Sequence, residues 1–130
     1  GELPPVVDVE ISRETVEARD PPGKFPASDD YEAAIVTWLK RVEQRTGKRA
    51  MIYMQDWYWH AYFGSKSADL TAYLLWAAGD PPPARDGWPY TFWQHGTPAT
   101  WADRQWDHDL FHGTSAELAA LIRSPGPPAP

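Results

Sequence analysis

Val6, Val7, Val9 and Ile11 run apolar, mostly β-branched side chains through residues 6–11. Pro4 and Pro5 bar a helix just before them, so the chain opens on an extended strand. Residues 13–29 are charged and Pro-rich without periodicity and read as a long loop. Tyr31, Ala34, Ile35, Trp38, Leu39 and Val42 then recur at helical spacing. Asp29 and Glu32 resemble a capping box at the start of that helix, and Lys40, Arg41 and Arg45 followed by Gly47 mark its end. RAMIYMQ (49–55) predicts a short strand, DWYWHAYFG (56–64) an aromatic loop or helical turn, and SADLTAY (67–73) a short helix leading into the apolar run LLWAA (74–78). A turn-rich stretch over 79–89 precedes YTFWQHG (90–96), where Tyr90, Phe92 and Gln94 alternate with Thr91, Trp93 and His95. QWDHDLF (105–111) is a last strand, and residues 113–124 a closing helix with Thr114 and Glu117 as capping box. Strands interleaved with helices, then strands with little helix between them, indicate an α/β chain with a mostly parallel sheet.

The first strand carries two carboxylates, Asp8 and Glu10, inside an apolar run. Side chains alternate faces along a strand, so the two point the same way, roughly 6 to 7 Å apart. Unpaired carboxylates sharing one site push a pKa upward, and a proton held unevenly by two carboxyls is what glycosidic cleavage requires. An exposed edge strand with one acidic face would give the same letters. The pair sits at the C-terminal end of its strand before a long loop, where α/β sheets and barrels place their active sites.

Composition narrows the chemistry. The 130 residues include no cysteine, which excludes disulfides, thiolate metal sites and a Cys nucleophile. A formal net charge of -6 without a basic cluster argues against nucleic acid and anionic membrane surfaces as partners. No run approaches the roughly 20 apolar residues of a membrane span. His108 and His112 could act as metal ligands on a helix, but their segment reads as a strand, so no metal and no cofactor are expected. Ser12, Ser65 and Ser67 lack a nucleophile context. Eight Trp, six Tyr and four Phe are more than a core of this length needs, and the surplus suits a groove that stacks on sugar rings.

Five blocks, LPPVVDVE, MIYMQDWYW, LLWAA, YTFWQHG and WDHDLFHGT, fall in the order and spacing of glycoside hydrolase family 25, and the chain resembles those N,O-diacetylmuramidase lysozymes over nearly its whole length. The resemblance implies an irregular TIM-like (β/α) barrel whose groove lies at the C-terminal ends of the strands. It implies a peptidoglycan hydrolase cleaving the β-1,4 bond between N-acetylmuramic acid and N-acetylglucosamine, acting on the cell wall or secreted. Glu10 matches the general acid, and Asp8 the partner carboxylate that orients the substrate's N-acetyl group. Asp107 matches a further acidic residue of the last strand. Tyr53 matches an aromatic hydroxyl of the groove and Trp76 and Trp93 the aromatics of two family blocks, and Trp57 and Gln94 are taken with them as substrate-binding candidates, with Trp59 and Trp106 as further candidates for the floor and rim. The sequence departs from the family pattern at Met54, Gln55, His95 and Asp109. A carbohydrate-binding or inactive relative with a sugar groove, and a chitinase-like glycosidase, are the alternatives.

A barrel of this type needs about 200 residues or more. The resemblance therefore reads residues 1–124 as the C-terminal portion of a catalytic barrel lacking its N-terminal strands, and 125–130 as a Pro-rich tail or linker. Such a portion is expected to self-associate or to pair with the missing segment, because an opened sheet leaves an unpaired edge.

Overall fold

In the computed structural model, residues 3–19, 22–64, 67–79, 88–101 and 104–123 are described. Strand β1 (Val6–Asp8) is followed by a short helix α1 (Arg13–Glu17), held at its start by Ser12, whose Oγ accepts from Thr15 N–H at 3.2 Å. The loop expected over 13–29 thus contains one helical turn and a half. Helix α2 (Ser28–Thr46) buries Ile35, Val36 and Leu39 and stops at Gly47, which is left-handed (φ 63°) and donates to the Glu43 carbonyl at 2.8 Å. Its start differs from the capping box expected at Asp29 and Glu32. The cap position is Ala27, whose side chain has no acceptor, and Asp29 lies inside the helix, while Glu32 accepts a hydrogen bond from Ser67 Oγ at 2.7 Å.

Strand β2 (Met51–Gln55) runs directly into α3 (Asp56–Tyr62), then a 3-10 turn (Leu70–Ala72) and strand β3 (Leu74–Ala78). Strands β4 (Phe92–Trp101) and β5 (Arg104–Phe111) form a hairpin, and α4 (Ser115–Arg123) follows. The capping box expected for α4 is present: Thr114 Oγ1 accepts from Glu117 N–H at 3.2 Å, and Glu117 Oε2 accepts from Thr114 N–H at 2.7 Å.

The strands pair in chain order, β1-β2-β3-β4-β5, parallel as far as β4 and antiparallel between β4 and β5. The expected mostly parallel α/β sheet is therefore present. Closure into a barrel is not: among the described residues β1 and β5 are the two edges of an open five-stranded sheet. Five strands fall short of the roughly eight that enclose a side-chain-filled barrel.

In-register residues of neighbouring strands share a face. Ile52, Met54, Leu75 and Ala77, together with Val9, join Ile35, Val36, Leu39, Tyr58 and Trp59 in the core under the helices. The alternate row Asp8, Tyr53, Trp76, Phe92 and Phe111 is paired strand by strand on the other side of the sheet. Its aromatics form a continuous ladder, with ring centroids 5.8 Å (Tyr53–Trp76), 5.8 Å (Trp76–Phe92) and 5.2 Å (Phe92–Phe111) apart. One face of the sheet is thus core, and the other is left to form a cleft. No described helix is long and apolar enough to cross a membrane.

Candidate active site

The cleft is organised around Val9. This residue is 2% exposed, and its N–H donates to the Tyr53 carbonyl at 3.0 Å, which extends the β1–β2 pairing one step past the end of β1. With Val9 sunk in the core, its two neighbours in sequence must face away from it, so Asp8 and Glu10 both line the cleft. Glu10 lies just beyond the strand on which it was expected, in the segment that α3 secures. The buried Tyr58 donates its O–H to the Ile11 carbonyl at 2.7 Å, and the Tyr62 hydroxyl accepts from Arg13 N–H at 3.0 Å. The aromatic run after β2 is therefore the clamp that sets the position of the acid at residue 10.

Two adjoining lobes make up the cleft, of about 420 and about 560 Å³, and both are lined by Glu10, Tyr53, Gln94 and Asp107. The smaller adds Asp8, Trp76 and Asp109, and the larger adds Gln55, Gly79, His95 and Trp106. Among the described lining residues there is no Lys or Arg to neutralise the acids. Partial burial pushes the Asp8 carboxyl above its ordinary range. The Tyr53 phenol is pushed up to about 12, first by burial and then by the charges of Glu10, Asp8 and Asp107. Tyr53 donates its O–H to Gln94 Oε1 at 2.6 Å, and the Trp76 indole N–H donates to Asp109 Oδ1 at 2.8 Å.

Of the residues singled out in the sequence, the structure brings Asp8, Glu10, Asp107, Tyr53, Trp76, Gln94 and Trp106 together. Three tryptophans stand elsewhere. Trp59 is 4% exposed and packs in the core against Phe63 and Trp88. Trp93 lines neither lobe, since it alternates with Gln94 along β4. Its indole N–H donates to the Gly79 carbonyl at 2.7 Å and its ring packs near Tyr90 and His95. Trp57 is 52% exposed and reaches the site only through its indole N–H, which donates to Gln55 Oε1. Several lining residues were not proposed as site residues, among them Gly79, His95, Gln55 and Asp109, and the last two carried a readable signal. Each lies two positions along a strand from one that was, Tyr53 and Asp107, and that same-face spacing was the available signal. Among the described residues no group of three or more His, Cys, Asp or Glu is arranged to hold a metal ion.

An acidic, aromatic-edged cleft without cations suits an uncharged polyhydroxylated ligand and acid chemistry upon it. Comparison with known proteins points the same way. Residues 1–103 match the family model described as glycosyl hydrolases family 25. The uncharacterized protein YegX of Escherichia coli (strain K12) is 29% identical over 126 residues, which make up 94% of this chain and 41% of that relative. Among solved structures, the bacterial lysozyme from Streptomyces coelicolor superposes with a TM-score of 0.68 at 22% identity, covering 92% of this chain and 56% of that one. A family 25 glycosyl hydrolase from Bacillus anthracis gives a TM-score of 0.64 at 18% identity, with 89% and 52% covered. The muramidase from Acremonium alcalophilum gives 0.65 at 19%, with 92% and 56% covered. These likenesses show a shared fold, and the chain spans about half the length of the structures it matches.

Proposed function

Since the chain belongs to glycosyl hydrolases family 25, we propose that it carries the acid-catalytic cleft of a peptidoglycan hydrolase, a muramidase cutting the β-1,4 bond between N-acetylmuramic acid and N-acetylglucosamine at the cell wall. The observation that supports this most directly is that Asp8, Glu10 and Asp107 line one cleft with Tyr53, edged by Trp76 and Trp106. In this reading Glu10 protonates the leaving glycosidic oxygen. Asp8 holds the substrate's acetamido group as its oxygen attacks the anomeric carbon, so no separate enzyme nucleophile is needed. Asp107 adds negative charge where an oxocarbenium-like centre would develop. Trp76 and Trp106 offer apolar faces to the sugar rings, while Gln94 and Gln55 offer amides to their hydroxyls.

The test is release of reducing ends from purified peptidoglycan. Glu10→Gln is nearly isosteric and should lower turnover by about 10²- to 10⁴-fold while leaving the circular dichroism spectrum unchanged. A Glu10→Gln chain that cuts at a rate comparable to the parent refutes the assignment. Glycan binding by the parent without any turnover would instead identify a binding module, and turnover on chitin oligomers but not peptidoglycan would identify a chitinase-like enzyme.

A further inference from the structure

Tyr53 has one proton to donate and four carboxyl groups in the same cleft, yet that proton goes to an amide. The phenol donates to Gln94 Oε1 at 2.6 Å across β3, while Gln55 lines the same lobe from the strand that carries Tyr53. The Gln55 carbonyl oxygen accepts from the Trp57 indole N–H. Two bonds flank the acids, Trp57 to Gln55 and Tyr53 to Gln94, and the second commits the phenolic proton to an amide.

A hydrogen bond donated to an ionised carboxylate favours its charged form, so a free phenol among the acids would help to discharge them of protons. The groups that face Tyr53 in the cleft are Asp8 and Glu10 from the β1 end, Asp107 and Asp109 from β5, and His95 from β4. β3 contributes Trp76, whose N–H is bound to Asp109. With its proton committed elsewhere, Tyr53 can offer the remaining acids only a lone pair, which a protonated carboxyl can use and an ionised one cannot.

We propose that Gln94 is a positioning residue: by accepting the only phenolic proton of Tyr53, it keeps that hydroxyl from donating to the acid cluster, so that the cluster retains the proton an acid catalyst must deliver. This deepens the muramidase reading and rests on it for its purpose, but not for its test.

The experiment is a ¹³C-carboxyl NMR titration of the chain, with the resonances of Asp8, Glu10, Asp107 and Asp109 assigned from single Asp→Asn and Glu→Gln variants. Interacting carboxyls titrate as a set, so the quantity followed is the highest apparent pKa among the four. Gln94→Leu frees the phenolic proton and should lower that value by about one pH unit. In a Tyr53→Phe background the same substitution should move nothing, because no phenolic proton remains to be redirected. Should Gln94→Leu fail to fold, Gln94→Met, of nearly the same length, serves in its place. No downward shift on substitution of Gln94, or an equal shift with and without the phenol, overturns the proposal. A parent chain that shows the expected titration but releases no reducing ends overturns the muramidase reading alone.

Discussion

Asp8 and Glu10 share a cleft because one apolar residue lies between them, and the same arrangement sets a cost on Asp8. Partial burial raises its carboxyl pKa in the folded state, so between the unfolded value near 3.8 and the folded value the native chain binds more protons than the unfolded one. Stability then falls as pH rises through that window and stays reduced above it. Asp8→Asn removes the ionisation, so its urea midpoint should exceed the parent's at pH 7, and the gain should shrink as the pH is lowered to 3. Equal midpoints at pH 7 would show that Asp8 ionises in the fold without penalty. The same variant should lose activity, which is the trade expected where a group is held for chemistry rather than for stability.

At the scale of elements, α3 does more for the site than its seven residues suggest. Tyr58 is fully buried, its hydroxyl lies 3.1 Å from that of Tyr31, and burial holds its phenol well above the ordinary range. Its bond to the Ile11 carbonyl fixes the backbone next to Glu10. Tyr58→Phe keeps the ring and deletes the donor, so it should cost about 1 kcal/mol in denaturant and speed amide hydrogen exchange over residues 10–13. Unchanged exchange there would mean that packing alone holds the segment. The sequence of α3 left loop and helix open because seven aromatic-rich residues carry too few turns to show a period. The five residues of α1, three of them charged, show none at all. The capping box of α4 was legible because both partners are local, three residues apart. The one expected on α2 was not: Asp29 lies inside the helix, and Glu32 accepts from Ser67, 35 residues away.

For the molecule as a whole, β1 is an edge of the sheet among the described residues, which puts the candidate acid beside an open strand edge, and the aromatic ladder from Tyr53 to Phe111 stays partly exposed on the cleft face. Edges and apolar faces of this kind favour pairing with further strands. The chain by itself should therefore sediment as a concentration-dependent associating species and turn over peptidoglycan slowly. A stable monomer with full lysozyme activity would show that the open sheet is a sufficient catalytic scaffold.

Local periodicity in the sequence determined which residues share a face of each strand or helix, and with it the acidic pair and the main helix, while the five sequence blocks carried the resemblance to the family. Alternation is a property of the covalent chain, so Asp8 with Glu10, Tyr53 with Gln55, and Asp107 with Asp109 are all readable without coordinates. Distances across the sheet are set by pairing between segments far apart in sequence, and only the tertiary structure decided those. Tyr53 meets Gln94, Trp76 meets Asp109, Trp59 goes to the core and Trp93 turns from the cleft because of strand register and helix packing. The open sheet is likewise a tertiary outcome, since whether an edge finds a partner depends on the number of strands available to curve around and meet it.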